Sequence, residues 1–287
     1  MAIERNGHRI KTERGLARLI NFIYFRLSFI IKIPIFLSKI PSLFNPNLFV
    51  KKSADSLHSV AEKYNSAEEV EFHSQLISEG LEEWERNIIE RYMKPKAKLL
   101  DVGCGAGREA IALVKMGFEV MGIDISPNMV AKATENAKKE GLNISFKVQS
   151  VTDIDCPAKY FDYVLFSREV YSYIPTKKLR IETLKKIRDI LKPDGILVFS
   201  AYYKDRRLFS RLNIMGFFRR IRNFFLKEKF DSEPGDLMVR YVSSVSNPKK
   251  LNFCHFFFSF KEILEEVRMA GLKTMEGENS GVWVVKP

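Results

Sequence analysis

Residues 99–126 read LLDVGCGAGREAIALVKMGFEVMGIDIS, and the order of residue types in this stretch decides the fold. The run Ala97–Val102 has the length of a buried strand and passes at once into the glycine cluster Gly103, Gly105 and Gly107. Arg108–Met116 follows, with Ala110, Ile111, Leu113 and Val114 spaced for one buried helical face, and Phe118–Ile123 reads as a second short strand closed by Asp124. Glycine is needed where a turn is tight and backbone N–H groups must approach a ligand with no Cβ in the way. A carboxylate at the tip of the next strand, about 20 residues on, is placed to accept hydrogen bonds from ribose hydroxyls. The unit reads as a nucleoside cradle. A doubly wound sheet that binds nothing also contains strand, glycine turn and helix. It does not account for three alternate glycines, the acid at this distance and Ile125-Ser126-Pro127 together.

The spacing narrows the nucleoside. A dinucleotide fingerprint wants a glycine where Arg108 stands, and no Gly-Lys-Ser/Thr closes the cluster as a phosphate loop would require. What remains is D-x-G-x-G-x-G from Asp101 to Gly107, and here the sequence resembles the class I S-adenosylmethionine-dependent methyltransferases. The resemblance spans residues 97–202 and implies a doubly wound, seven-stranded, mostly parallel sheet, the Rossmann-like methyltransferase fold. It implies S-adenosylmethionine as cofactor, with the glycine turn Gly103, Cys104, Gly105 and Gly107 on the methionine part and Asp124 on the ribose. By the same resemblance Asp101, Ile125, Met129, Val151 and Ser167 join the cofactor site. The family's adenine-contacting acid falls at Ser150, a departure that leaves the Ser150 hydroxyl and the Val151 N–H to meet the base, with Asp153 as a substitute acid. Many small-molecule members carry a histidine two residues before the proline of the loop Arg168–Pro175; this chain has Tyr173. A tyrosine there can orient a substrate oxygen but is a poor base at neutral pH. His255 is the other catalytic candidate, weighed against a structural place among its neighbouring phenylalanines.

Further along, the pattern gives a helix from Pro127 to Lys139 and strands at Ile144–Gln149 and Phe161–Ser167. A helix at Lys177–Leu191 and a strand at Ile196–Ala201 follow. A helix ending at Ala270 then leads to a closing hairpin near Leu272–Met275 and Val282–Lys286. Ser53–Tyr92 is polar and helical in pattern, with Trp84, Ile88, Ile89 and Tyr92 on one face. In related enzymes such a leading segment closes over the cofactor, which implies a contact from Tyr64; simple packing is the competing reading.

The chain has 287 residues and a formal net charge of +12, and the excess is localised. Residues 1–53 carry +8 and residues 203–230 carry +7, which leaves −3 on everything else. The organisation expected is therefore a basic amphipathic extension over 1–52 and a methyltransferase domain over 53–287 with an insert at 203–230. On a helix, Arg14, Arg18, Arg26 and Lys32 oppose Leu19, Phe22, Ile23, Phe29 and Ile30; Phe217, Phe218, Ile221, Phe224 and Phe225 oppose Arg219, Arg220 and Arg222. Charges interrupt both stretches too often for a membrane span. Basic faces opposite aromatic ones suit an interfacial helix, so a membrane surface met through residues 11–40 and 203–230 is one expected partner. A lid that packs on the catalytic body is the other reading. Three scattered cysteines and four scattered histidines give neither a disulfide framework nor a metal cluster, so no metal is expected and a reducing, cytoplasmic setting is, with a peripheral place at the inner membrane face. The activity expected is methyl transfer to a small, lipid-like acceptor. RNA is the weaker alternative, because the phenylalanines lie opposite the arginines rather than among them; a non-catalytic binder of the cofactor is the other.

Overall fold

The computed structural model describes residues 53–203, 233, 235–239, 252–277 and 281–287. The basic extension over 1–52 and residues 204–230 of the insert lie outside the described residues, as do the readings placed on them.

Strands β1 (Lys98–Val102), β2 (Glu119–Asp124), β3 (Ser145–Val148), β4 (Phe161–Phe166) and β5 (Leu191–Ser200) pair in parallel. Two further short strands, β6 (Asp236–Val239) and β7 (Asn252–His255), form a separate antiparallel pair. The closing hairpin is β8 (Lys273–Gly277) and β9 (Val282–Lys286), with β9 antiparallel to β5. The large sheet has seven strands in the order β3-β2-β1-β4-β5-β9-β8, the doubly wound arrangement expected. The order reverses between β1 and β4, and ligands bind in open sheets of this kind at that switch, outside the carboxyl ends of the strands.

Among the described residues three helices precede the sheet: α1 (Ser53–Tyr64), α2 (Ala67–Gln75) and α3 (Glu83–Tyr92). Four more, α4 (Arg108–Lys115), α5 (Pro127–Lys139), α6 (Lys177–Ile190) and α7 (Phe260–Met269), cross between strands or flank the sheet. Successive strand residues face opposite sides, and the two cores follow that alternation. Leu100 and Val102 of β1 join Leu184 and Ile187 of α6 and Ile263 and Val267 of α7 on one face. Leu99 joins Ile88 and Ile89 of α3 and Leu113 of α4 on the other. Burying strands on both sides explains their near-continuous apolar sequences. Most element ends fall within one or two residues of expectation, with one larger difference and one pair of strands not foreseen. The fifth strand begins at Leu191, because that residue already pairs with Phe161, and the β6–β7 pair gives an arrangement to a region (231–252) expected to hold loop and strand of unassigned layout.

The leading helices are stitched to the sheet by polar contacts. Ser126 caps α5, its hydroxyl accepting from the Met129 N–H at 3.1 Å, and the same oxygen lies 3.1 Å from the Tyr64 carbonyl and from the Asn65 side-chain oxygen. The Asn65 side chain also accepts from the Asn128 N–H at 3.0 Å. The carboxyl end of α1 is thereby fixed over the start of α5, directly above the end of β2.

Candidate functional site

At the end of β1 the chain turns through Gly103, Gly105 and Gly107, all with positive φ. The Gly103 and Cys104 N–H groups donate to the Ile123 carbonyl at 2.8 and 3.0 Å, which seats the turn on the end of β2. A Cβ on Gly103 would stand 2.5 Å from Val170 Cγ2, so glycine is required there by close approach as well as by its φ of +74°. At Gly105, with φ +50°, a Cβ would meet only His73 Nδ1, at 3.9 Å, leaving the surface of the turn open.

Asp124 closes the floor of this space. Its carboxylate accepts from the Gly105 N–H at 3.0 Å and from the Ser126 N–H at 2.8 Å while it is itself buried. Burial pushes its pKa up to about 6, and the two backbone donors oppose that rise. The cavity beside it is lined by Asp124, Ile125, Met129, Gln149, Ser150 and Val151, and by Gly103, Cys104, Gly105 and Ala106 of the turn. Arg108, Glu109, Arg168, His73 and Leu76 contribute further lining, together with an apolar group made of Leu57, Val60, Tyr64, Val170, Tyr173 and Ile174.

Several sequence-predicted residues thus share one cavity: Gly103, Cys104, Gly105, Asp124, Ile125, Met129, Ser150, Val151, Tyr64 and Tyr173. Gly107 is the residue from which α4 starts, and a Cβ there would crowd Ala133 at 3.2 Å. Gly107 is not among the lining residues, and Ser167, Asp101 and Asp153 also depart from expectation, while His255 takes the structural place weighed for it. Ser167 does not line the cavity; it is buried and its hydroxyl donates to Glu85. Asp101 points to the α3 and α4 face of the sheet, buried with Arg108, Glu85 and Glu109, and burial with like-charged neighbours holds its carboxyl well above the usual range. His255 lies on β7 with Nδ1 2.7 Å from Asp236 and its ring edge-on to Phe257, away from the cavity lining. Asp153 is exposed beside Lys186, so it does not stand in for the missing adenine acid. Ser150 does line the cavity, though its hydroxyl also accepts from the Thr152 N–H at 3.3 Å to cap a short 3₁₀ turn.

Glu233, Asp236 and His255 bring three ligand-type atoms within 4.8 Å of one another. The Glu233 carboxylate already accepts from the Lys177 N–H and from Arg180 at 3.0 Å, so the group reads as part of a buried ionic network.

Sequence reasoning missed His73 and Arg168. His73 on α2 lies more than a turn of sequence pattern away from any motif and reaches the glycine turn only because α1 and α2 fold back over the sheet. Its ring packs edge-on to Tyr64 and Phe72, with Nε2 3.9 Å from Glu69. Burial, then the positive charges of Arg168, Lys63 and Arg108, lower its pKa to about 4, so it is neutral at physiological pH. Arg168 and Glu169 are consecutive non-glycine residues with left-handed φ of 46° and 56°, a strained pair at the carboxyl end of β4. The Glu169 N–H donates to the Ser200 hydroxyl at 2.8 Å and fixes that conformation, while Arg168 reaches Glu82 at 3.1 Å.

The His73 shift has a measurable sign. The unfolded imidazole protonates near its ordinary 6.5 and the folded one near 4, so the unfolded state binds more protons in that window and stability is lost as pH falls through it. The loss amounts to at most about 3 kcal/mol. His73→Gln is expected to flatten the fall in unfolding free energy between those limits, read by urea titration at several pH values. Parallel curves for variant and native protein would refute the assignment.

Residues 93–223 match the family model described as a methyltransferase domain. A Bacillus subtilis protein is 36% identical over 114 residues, 40% of this chain and 46% of its own length. A ubiquinone biosynthesis O-methyltransferase of Bradyrhizobium diazoefficiens is 33% identical over 133 residues, 46% of this chain and 50% of its own. The chain therefore spans about half the length of the curated relatives it matches. Among solved structures, a Pyrococcus horikoshii protein aligns over 78% of this chain and 93% of its own with a TM-score of 0.52 and 23% identity. The 1,6-didemethyltoxoflavin-N1-methyltransferase of Burkholderia thailandensis, crystallised with its acceptor and S-adenosylhomocysteine, aligns over 83% and 89% with a TM-score of 0.52 and 15% identity. At these identities the structural likeness is one of fold.

Proposed function

We propose, from the premise that residues 93–223 form a methyltransferase domain of the class I, S-adenosylmethionine-dependent kind, that this chain moves the sulfonium methyl group to an oxygen of a small amphipathic acceptor. The observation that carries the reading is the buried carboxylate of Asp124 facing an open glycine turn, with an apolar group from α1 and the β4 loop in the same cavity.

The residues present fit the cofactor. Asp124 is an acceptor at the end of β2, where ribose hydroxyls would find it, and Met129, Ser150 and Val151 offer an apolar wall and polar edges for the base. The open surface at Gly105 leaves room for the methionine part beside the backbone. When bound, the cofactor supplies a methyl group on cationic sulfur, so the hardest chemistry is its own. This chain's task is to hold the nucleophile about 3 to 3.5 Å from that methyl and in line with the breaking bond, which is chiefly positioning. The helices α1 and α2 bring Leu57, Val60, Tyr64 and His73 into the cavity lining, with the end of α1 tied to α5 through Asn65.

Support for an amphipathic oxygen acceptor comes from the Leu57, Val60, Val170 and Ile174 surface and from the relative named an O-methyltransferase of ubiquinone biosynthesis. The basic, aromatic segments 11–40 and 203–230 suit a peripheral site at a cytoplasmic membrane face. Among the described residues no helix is long and apolar enough to cross a membrane. The expected result is micromolar binding of S-adenosylhomocysteine by calorimetry, label transfer from methyl-tritiated cofactor into the organic phase of a membrane extract, and sedimentation with anionic vesicles that is lost on removing residues 1–50. No binding of S-adenosylhomocysteine would end the reading. Label confined to the RNA fraction would replace the acceptor class.

A further inference from the structure

Three phenol rings from three different elements meet beside the apolar lining of the cavity. Tyr64, at the end of α1, and Tyr173, after β4, line the cavity with ring centroids 5.8 Å apart, edge to face. Behind Tyr173 stands Tyr202, which follows β5: the two hydroxyls are 3.2 Å apart, and the Tyr202 ring stacks on Phe256 at 5.0 Å. The Tyr64 ring meets that of Tyr173 edge to face, and burial raises the pKa of its hydroxyl, which stays protonated. Buried phenols linked hydroxyl to hydroxyl, as Tyr173 and Tyr202 are, polarise one another, so the proton presented to the cavity is a stronger donor than that of an isolated tyrosine.

The two carboxylates among the described cavity residues have other roles, Asp124 being placed for the cofactor's ribose. Asp124 accepts from two backbone N–H groups, and Glu109 is tied to Arg108. Arg168 adds positive charge, and His73 is neutral. A cationic acceptor would find aromatic edges and arginines, whereas an anionic oxygen would find phenol donors.

We propose that the Tyr173 hydroxyl, backed by Tyr202 and flanked by Tyr64, holds the acceptor's oxygen, and that it selects an acidic hydroxyl, a phenol or an enol, methylated as its oxyanion. The proposal rests on the methyltransferase reading above and names the acceptor class for it. The acceptor's proton leaves to solvent on binding. A lone pair of the oxyanion then forms the bond to the methyl carbon as the carbon–sulfur bond breaks and its electron pair passes to sulfur. One negative and one positive charge cancel. Cancelling charge is favoured where Leu57, Val60 and Ile174 lower the local dielectric, whereas methylating an amine would leave a full positive charge in the same apolar setting. No dedicated base is required, because the acceptor reacts already as its oxyanion.

The test uses the full chain saturated with S-adenosylhomocysteine and 4-nitrophenol as the probe, whose oxyanion is read by its visible absorbance. At a pH about one unit below the probe's own pKa, the bound probe is expected to be mostly ionised. Tyr173→Phe should weaken that binding about tenfold and Tyr202→Phe about threefold, the scale of one charge-assisted hydrogen bond and of its support. 4-Nitroaniline, of the same shape but uncharged, should bind more weakly and respond to neither variant. Calorimetry of S-adenosylhomocysteine should be unchanged in both variants, showing that the fold and cofactor site are intact. Equal effects on both probes, no effect of Tyr173→Phe, or no nitrophenol bound would each overturn the inference while leaving the methyltransferase reading standing. Native protein that fails to bind S-adenosylhomocysteine would overturn both.

Discussion

Asp124→Ala is expected to weaken binding of S-adenosylhomocysteine on the order of 100-fold, measured by calorimetry at neutral pH. Hydrogen bonds to a charged carboxylate contribute about 1.5–3 kcal/mol each, and losing the partner of a ribose diol removes up to two of them. The Gly105 N–H loses its acceptor in the same step, so the glycine turn loosens as well. The pH dependence separates this from general damage. With no ligand the carboxyl titrates near 6, because burial disfavours its charge. Ribose donors favour the charged form, so affinity is full above that value and falls as pH drops below it, by roughly tenfold per unit once the group is protonated. In Asp124→Ala the affinity should be low and flat over the same range. The same burial acts on stability with the opposite sign. The folded carboxyl holds its proton where the unfolded one, at 3.8, has released it, so this group makes the unliganded fold less stable as pH rises from about 4 to 6. A variant that binds within threefold of the native protein would remove Asp124 from the site.

That much of the cradle was legible because it is local. Strand, turn, helix and strand occupy one continuous stretch, and the turn's φ angles, the seat of its N–H groups on Ile123 and the Asp124 contact all lie within it. The sheet order was legible for a related reason, since alternating strands and helices of this length leave few right-handed arrangements. Residues brought in from a distance were not. His73 reaches Gly105 through the fold-back of α1 and α2, which depends on Ser126 and Asn65 meeting across about 60 residues of chain. Ser167 follows β4 directly before Arg168, which lines the cavity, yet the carboxylate of Glu85, 82 residues earlier, captures its hydroxyl. His255 takes the structural place weighed for it among its phenylalanines, but no pattern revealed that β7 pairs with β6, which supplies Asp236 as its partner.

Arg108 shows how a departure in sequence becomes a structural device, and its removal is expected to have the largest effect on stability. Its guanidinium donates to both oxygens of Glu85 at 2.9 and 2.7 Å, to the Gly80 carbonyl at 2.6 Å and to Glu109, in a buried setting. Glu85 in turn caps α3 through the Glu82 N–H at 2.6 Å. One side chain thus ties the glycine turn to the helices in front of the sheet, at the position where a dinucleotide site would need glycine. Burial and the neighbouring carboxylates hold Asp101 and Glu85 above their ordinary range, and the arginine is the cation that offsets the cluster. Arg108→Met leaves those acids buried without it, which costs about 3–5 kcal/mol, and should lower the melting temperature by roughly 6–20 °C. The sign with pH is fixed by the same charges. Without the arginine the folded carboxyls rise further, the folded state binds more protons than the unfolded one, and the deficit should shrink as pH falls toward 5. Glu85→Gln added to Arg108→Met should recover part of the loss at pH 7, because it removes one of the stranded charges. Melting of Arg108→Met within about 2 °C of the native protein, or a deficit that grows in acid, would show that the cluster is neutralised by some other means.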